Sequence, residues 1–188
     1  MFKVIYKYSA CIKICTDNLT ILCDPWFGTA YEGTWTQFPR CKNIVDFIGD
    51  FDMVYISHIH PDHYDADTLR ILFENFGKKE ILVADWGENK INYLARKIKG
   101  DGFGELLNIS NLLEKGNTRI NIIPNDTGSI SDIDSAILIS SKLNNKSVLN
   151  INDCIYNKFL FDKINHIKEK YNLNISLFCL GYTGAGPY

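Results

Sequence analysis

Val54-Tyr55-Ile56-Ser57-His58-Ile59-His60-Pro61-Asp62-His63 joins an apolar run to a segment that holds three imidazoles and a carboxylate within six residues. The run reads as a buried strand and the hexapeptide as the sharp loop that ends it. The chain has four histidines in all, so three in one hexapeptide point to function; His166 stands apart in the polar helical stretch Asn165–Lys170. Neutral imidazole nitrogen and ionised carboxylate suit zinc, and also iron or manganese, and ligands at a strand end are held by the strand behind them. If the chain stays extended, His58 and His60 point the same way. Pro61 then bends the backbone so that Asp62 and His63 face a second position.

Working outward, 188 residues with 46% hydrophobic content suffice for one domain with a sizeable core. A formal net charge of -2 and the lack of any Lys/Arg block argue against a nucleic-acid partner. The expected partner is a small-molecule substrate, and an anionic one would be recognised locally, by metal and a few side chains. No stretch approaches the roughly 18 to 20 consecutive apolar residues of a membrane span. Met1–Lys7 lacks the layout of a secretory signal, so the expected location is the cytoplasm. Cys11, Cys15, Cys23, Cys41, Cys154 and Cys179 are scattered through a chain large enough to fold on its core, and are expected to be reduced.

Alternation predicts strands near 2 to 8, 10 to 15 and 19 to 23, with Asp17-Asn18 as a tight turn between the last two. Gly28–Arg40 reads as a long loop in which Tyr31, Trp35 and Phe38 either wall a substrate pocket or pin the loop to the sheet. A strand near 52 to 57 precedes the histidines. A helix over Ala66–Phe76 follows, with Asp65 or Asp67 near its N-cap, then a strand at Ile81–Ala84 and a helix over Glu88–Lys99. Residues 118 to 124, 134 to 140 and 147 to 151 look like strands of a second sheet. A helix over Ile155–Tyr171 and a strand at Ile175–Leu180 complete an α/β pattern.

The spacing His58-x-His60-x-Asp62-His63 resembles the signature of the metallo-β-lactamase-fold superfamily. The resemblance implies a four-layer α/β/β/α sandwich with a one- or two-metal site at one edge of the packed sheets. Leu22-Cys23-Asp24-Pro25-Trp26-Phe27, with Gly28-Thr29-Ala30 and Gly33-Thr34-Trp35 after it, is similar to the Asp-Pro-Trp segment of one branch. That branch contains N-acyl-phosphatidylethanolamine phospholipase D, ascorbate-phosphate lactonase and the metallo domain of CMP-N-acetylneuraminate hydroxylase. Leu149-Asn150-Ile151-Asn152-Asp153-Cys154 resembles the segment with the superfamily's bridging aspartate. Asp153 is therefore expected to bridge two metals, and Asn152-Asp153 can also cap the helix that follows. Asp24 is expected to accept the free N–H of a ligating imidazole, with Ser57 in a like role.

The family also has a third histidine on its first metal, and this chain carries Ile122-Ile123-Pro124-Asn125-Asp126 at the corresponding strand end. Asp126 is the expected substitute, with Asp132 and Asp134 as competitors; a carboxylate there would favour harder ions such as iron or manganese. The family's last histidine would lie beyond Tyr188. Residues 1–188 are thus expected to form a single metallo-β-lactamase-like domain, incomplete at its C-terminus and part of a larger protein. The Gly-rich ending offers the Gly184 and Gly186 amides to an anion if it folds back on the site, and otherwise reads as a flexible tail.

The metal ligands expected are His58, His60, Asp62, His63, Asp126 and Asp153, holding two divalent ions, zinc foremost, with iron or manganese as alternatives. Two such ions about 3.5 to 4 Å apart lower the pKa of a shared water toward 7. The implied reaction is hydrolysis of a phosphodiester or a lactone-like ester by metal-bound hydroxide, with Asp62 as the catalytic carboxylate that orients it and passes on its proton. Two other readings stay open. One is an iron-dependent oxygenase component similar to the sialic acid hydroxylase, whose Rieske centre needs Cys-x-His pairs that this chain lacks. The other is a non-catalytic module with a degenerate site.

Overall fold

Alternate side chains of the central strands point into different cores, and this sets the layering. The computed structural model describes residues 2–129 and 132–180; the Gly181–Tyr188 tail, with Gly184 and Gly186, lies outside the described residues. In chain order the elements are β1 (Lys3–Tyr8), β2 (Cys11–Cys15), β3 (Thr20–Cys23), β4 (Thr29–Ala30), β5 (Trp35–Thr36), α1 (Ile44–Ile48), β6 (Met53–Tyr55), α2 (Ala66–Phe76) and β7 (Glu80–Val83). There follow α3 (Tyr93–Gly100), a 3-10 turn at Gly104–Leu106, β8 (Leu107–Ile109), β9 (Leu112–Lys115), β10 (Thr118–Pro124), β11 (Ser135–Ser141), β12 (Lys146–Asn150), α4 (Lys158–Lys170) and β13 (Asn174–Cys179).

One sheet has the order β1-β2-β3-β6-β7-β8 and a second the order β13-β12-β11-β10-β9. The β3-β6, β6-β7 and β7-β8 pairs are parallel, so their connections must cross over, and α1, α2 and α3 do so on one face. Val54, Ile56, Ile81 and Val83 meet Leu69, Leu72, Leu94 and Ile98 of those helices. Tyr55 and Leu82, one residue out of phase, instead face Ile120, Ile122, Ile137 and Ile139 of the second sheet. Ala136, Leu138 and Leu149, on the reverse of that sheet, pack on Leu160 and Ile164 of α4. The result is an α/β/β/α sandwich. Burying both faces of β6, β7 and β11 requires the continuous apolar runs seen in the sequence, each large side chain contributing about 1.5–3 kcal/mol.

Helix starts differ from expectation where a side chain captures the backbone. The sequence predicts a helix from Glu88, but Asn92 Oδ1 accepts from Ala95 N at 2.9 Å and α3 begins at Tyr93. The last helix, predicted from Ile155, begins at Lys158 because Asn157 Oδ1 accepts from Leu160 N at 2.8 Å; Asn152-Asp153 do not cap it. At α2 the cap is Asp65, whose Oδ1 accepts from Asp67 N and Thr68 N, both at 3.1 Å. Asp65 Oδ2 also accepts from Gly28 N at 2.8 Å, and a Cβ at position 28 would meet that oxygen at 2.9 Å, so a side chain there would have to push the capping carboxylate aside. The loop read at Gly28–Arg40 contains the short β4-β5 hairpin, and α1, β8 and β9 are too short to leave a periodic signal. Among the described residues no helix is long and apolar enough to cross a membrane. All six cysteines are free thiols.

Candidate metal centre

Parallel pairing of β3 with β6 sets Cys23 opposite Tyr55, so the chain leaves both strands at one edge, and Asp24 N donates to Tyr55 O at 2.9 Å. Asp24 adopts φ 44°, a left-handed conformation that Asp tolerates better than most residues. Its buried carboxylate accepts from Ser57 N at 2.7 Å and from Ser57 Oγ at 2.8 Å. The second sheet meets the same edge: Tyr55 Oη donates to Ser135 O at 2.9 Å, and Ser135 Oγ donates to Ser57 O at 2.8 Å. Asp134 before β11 and Asp153 after β12 arrive there in consequence.

The hexapeptide closes on itself. His63 N and Tyr64 N both donate to His60 O, at 3.0 and 2.8 Å, which folds His63 back beside His58. Ring centroids of His58 lie 4.0 Å from His63 and 4.6 Å from His60. His63 Nδ1 is 3.1 Å from Asp24 Oδ2 and its Nε2 is 3.4 Å from Asp153 Oδ2. His58 Nδ1 lies 3.0 Å from Ser57 Oγ, and its Nε2 lies 2.9 Å from His60 Nδ1 and 3.9 Å from Asp153 Oδ2. Asp62 Oδ1 accepts from Tyr31 Oη at 2.9 Å while its Oδ2 is 3.9 Å from His63 Nε2. One ligand atom each from His58, His63 and Asp153 fall within 4.8 Å of one another.

Burial, reinforced by His63 and His60, lowers the His58 pKa to about 2, so that ring is neutral and one of its two nitrogens has a free lone pair. Burial also opposes charge on His63, but Asp24 on one nitrogen and Asp153 on the other outweigh it and raise the pKa to about 10. The hydrogen bond from His63 holds Asp153 below the usual carboxylate range. Burial, then the neighbouring Asp153, raise Asp134 to about 6. With His58 neutral, the 3.6 Å approach of His58 Nδ1 to Asp134 Oδ1 is not an ion pair, and that buried oxygen has no hydrogen-bond partner.

Asp24, Asp62, Asp134 and Asp153 thus converge on the imidazoles with no Lys or Arg paired to them among the described residues. A neutral imidazole, an imidazolium clamped between carboxylates and an unsatisfied buried oxygen are a donor set short of positive charge. It fits divalent cations, whose binding would displace the His63 proton.

Asp126, the expected substitute ligand, is placed elsewhere. Its Oδ1 accepts from Lys90 Nζ at 2.6 Å and from Gly128 N at 2.9 Å, and it is not part of the cluster. Asp132 is held by the same lysine at 2.8 Å. The structure gives the place beside His58 to Asp134, the third competitor, for a reason of position: it opens a strand at the edge where Asp24 and Asp153 leave theirs. His166 lies exposed on α4, away from the cluster. Tyr31, on the β4-β5 hairpin, faces Asp62 rather than the sheet, and its link to that carboxylate left no mark in the sequence. A cavity of about 920 Å³ opens over His60, Asp62, His63 and Asp153.

Residues 3–102 match the family model described as beta-lactamase superfamily domain. The chain belongs to this family, with the metallo-β-lactamase fold. Its curated relatives include the cytidine monophosphate-N-acetylneuraminic acid hydroxylase of Asterias rubens, 33% identical over 85 residues, or 44% of this chain and 13% of that protein. The chain spans only 10% to 13% of the length of the curated relatives it matches. Among solved structures, a variant of the CmlA β-hydroxylase superposes with a TM-score of 0.64 at 18% identity, over 88% of this chain and 33% of that one; CmlA is a diiron enzyme of Streptomyces venezuelae. An isothiocyanate hydrolase from Delia radicum gut bacteria superposes with a TM-score of 0.62 at 13% identity, over 88% of this chain and 67% of that one. At such identities the superpositions speak for the fold, which metal-dependent hydrolases and a diiron hydroxylase share.

Proposed function

We propose that this domain carries the metal centre of a hydrolase acting on a small-molecule ester, lactone or phosphodiester. The observation that supports it most is the convergence of His58, His63 and Asp153, with His63 and Asp153 open to a cavity and His58 buried just behind them, amid carboxylates with no side-chain cation paired to them among the described residues. His58, His60, His63 and Asp153 would hold the ions, with Asp62 and Asp134 at their margins. Divalent ions there would lower the pKa of bound water toward 7 and polarise the substrate oxygen.

The chain's own groups do the rest. Asp24 and Ser57 fix the ring of His63, so that Nε2 faces the cavity. Tyr31 Oη, donating to Oδ1, holds Asp62 with its other oxygen toward His63. Asp62 Oδ2 takes the proton of the attacking water as its oxygen bonds to the carbonyl carbon or phosphorus. The same proton passes to the leaving oxygen when that bond breaks, giving acid and alcohol.

Elemental analysis of protein purified without chelator is expected to find about two zinc or manganese ions per chain. Chelation should abolish hydrolysis of 4-nitrophenyl acetate or bis(4-nitrophenyl) phosphate, and adding metal back should restore it. Tight iron with no hydrolysis of either compound would shift the reading to the hydroxylases, and a chain without metal would leave only a degenerate module. The two aspartates also separate: Asp134→Ala is expected to weaken cation binding at least tenfold, whereas Asp126→Ala, which releases Lys90 and Gly128 N away from the cluster, leaves it unchanged. Competition with a chromogenic chelator measures both, and the reverse ranking would restore Asp126 as the ligand.

A further inference from the structure

The walls of the cavity are as informative as its floor. Among its described lining residues there is no Lys or Arg, while Asp62 and Asp153 both face it. A phosphoryl group would therefore meet carboxylates with no side-chain cation to receive it, and only the metals would favour it. Ser9, Asn150 and Asn152 add uncharged polar groups, and the larger side chains of the wall are apolar or aromatic: Tyr6 from the edge of the first sheet, Leu177 and Leu180 from the edge of the second, and Tyr31 and Trp35 from the β4-β5 hairpin. Tyr6, Trp35 and Leu180 are 69%, 49% and 55% exposed, unusually bare for large apolar side chains grouped around one hollow.

The hairpin is built to keep its rings there. Tyr31, Glu32 and Gly33 all take positive φ, of 51°, 57° and 83°, which makes the tip a tight turn. Gly33 N donates to Ala30 O at 3.2 Å, and Thr34 donates twice to Tyr31 O, from N at 3.1 Å and from Oγ1 at 2.7 Å. The Tyr31 and Trp35 rings meet edge to face with centroids 4.8 Å apart, and Tyr31 is tied to Asp62. A preformed aromatic corner loses little freedom when a ligand lies against it.

We infer that the β4-β5 hairpin selects the substrate, and that the substrate is an uncharged carboxylic ester or lactone with an aromatic or alkyl body seated against Tyr31 and Trp35. This rests on the hydrolase reading for the fate of the ester, but the seat itself is independent of metal. The test is binding of methyl 2-naphthoate and of 2-naphthyl phosphate, followed by fluorescence anisotropy of the naphthyl group, on the full chain as purified and after chelation. Methyl 2-naphthoate is expected to bind the chelated chain and to lose about tenfold in affinity in Trp35→Ala and in Tyr31→Ala. Tyr31→Phe, which keeps the ring, should retain the affinity. 2-Naphthyl phosphate should bind the chelated chain at least about tenfold more weakly than the ester. Equal binding of the two compounds to the chelated chain, or an affinity indifferent to Trp35→Ala and Tyr31→Ala, would overturn the proposal. Metal content, measured separately, reports on the hydrolase reading whichever way the seat is decided.

Discussion

His58→Ala and Asp153→Ala are each expected to strip the chain of its cations and to lower ester or phosphodiester turnover on the order of a thousandfold. The two side chains arrive from different sheets, His58 after β6 and Asp153 after β12, so each variant removes one wall of the cluster and leaves the other in place. His58 is fully buried, and its loss opens a small cavity and frees Ser57 Oγ and His60 Nδ1; the cost is about 1–2 kcal/mol. A chain of this size tolerates that, with a fall in Tm of roughly 3 to 6 °C. Asp153 is more exposed and gives up its pairing with His63, so its removal should cost the fold less and metal binding as much. Circular dichroism with elemental analysis separates the effects. A folded His58→Ala or Asp153→Ala chain that keeps its full complement of metal and its turnover would end the metal-centre reading.

What could be read from the sequence divides along one physical line. The hexapeptide is contiguous, so the proposal that it ligates metal needs no knowledge of the fold, and the strand before it is marked by its apolar run. The arrival of Asp24 and Asp153 beside the histidines was also legible, because each follows closely on a strand and strand ends are where an α/β sheet presents its chemistry. The choice among Asp126, Asp132 and Asp134 was not. It depends on the β10-β11 register, in which Asn125 N donates to Asp134 O at 2.9 Å, and on Lys90, thirty-six residues before Asp126, which claims two of the three carboxylates. No local pattern carries that information. The same holds for the starts of α3 and α4, where an asparagine inside an apparently helical stretch acts as the cap. It holds too for Tyr31, whose role depends on a hairpin of two-residue strands and a contact thirty-one residues away. The layered core was legible because burial on both faces of β6, β7 and β11 leaves unbroken apolar runs, whatever the long-range pairing.

The second large effect is expected from a residue that need not touch a metal at all. Asp24→Asn should weaken cation binding by about ten- to a hundredfold and destabilise the fold by about 3 kcal/mol. Asp24 is completely buried, and its two oxygens accept from Ser57 N, Ser57 Oγ and His63 Nδ1. Asparagine offers one carbonyl oxygen and an NH2 group, so either Ser57 N–H or His63 Nδ1–H must face a donor instead of an acceptor. If the amide turns its oxygen to Ser57, His63 can relieve the clash only by giving up its Nδ1 proton and keeping the one on Nε2, so that the nitrogen facing Asp153 is no longer open to a metal. If it turns the other way, the β3 and β6 exits lose the Ser57 N bond and keep the one from Asp24 N to Tyr55 O. Nitrogen-15 chemical shifts of the His63 ring distinguish the two outcomes, and chemical denaturation with metal competition gives the magnitudes. Asp24→Ala should be worse on both counts, because it leaves the three donors unmet. Were Asp24→Asn to keep the parent metal affinity, denaturation midpoint and His63 tautomer, orientation of that imidazole would have to come from Ser57 alone, and the carboxylate would be a packing feature of the strand end.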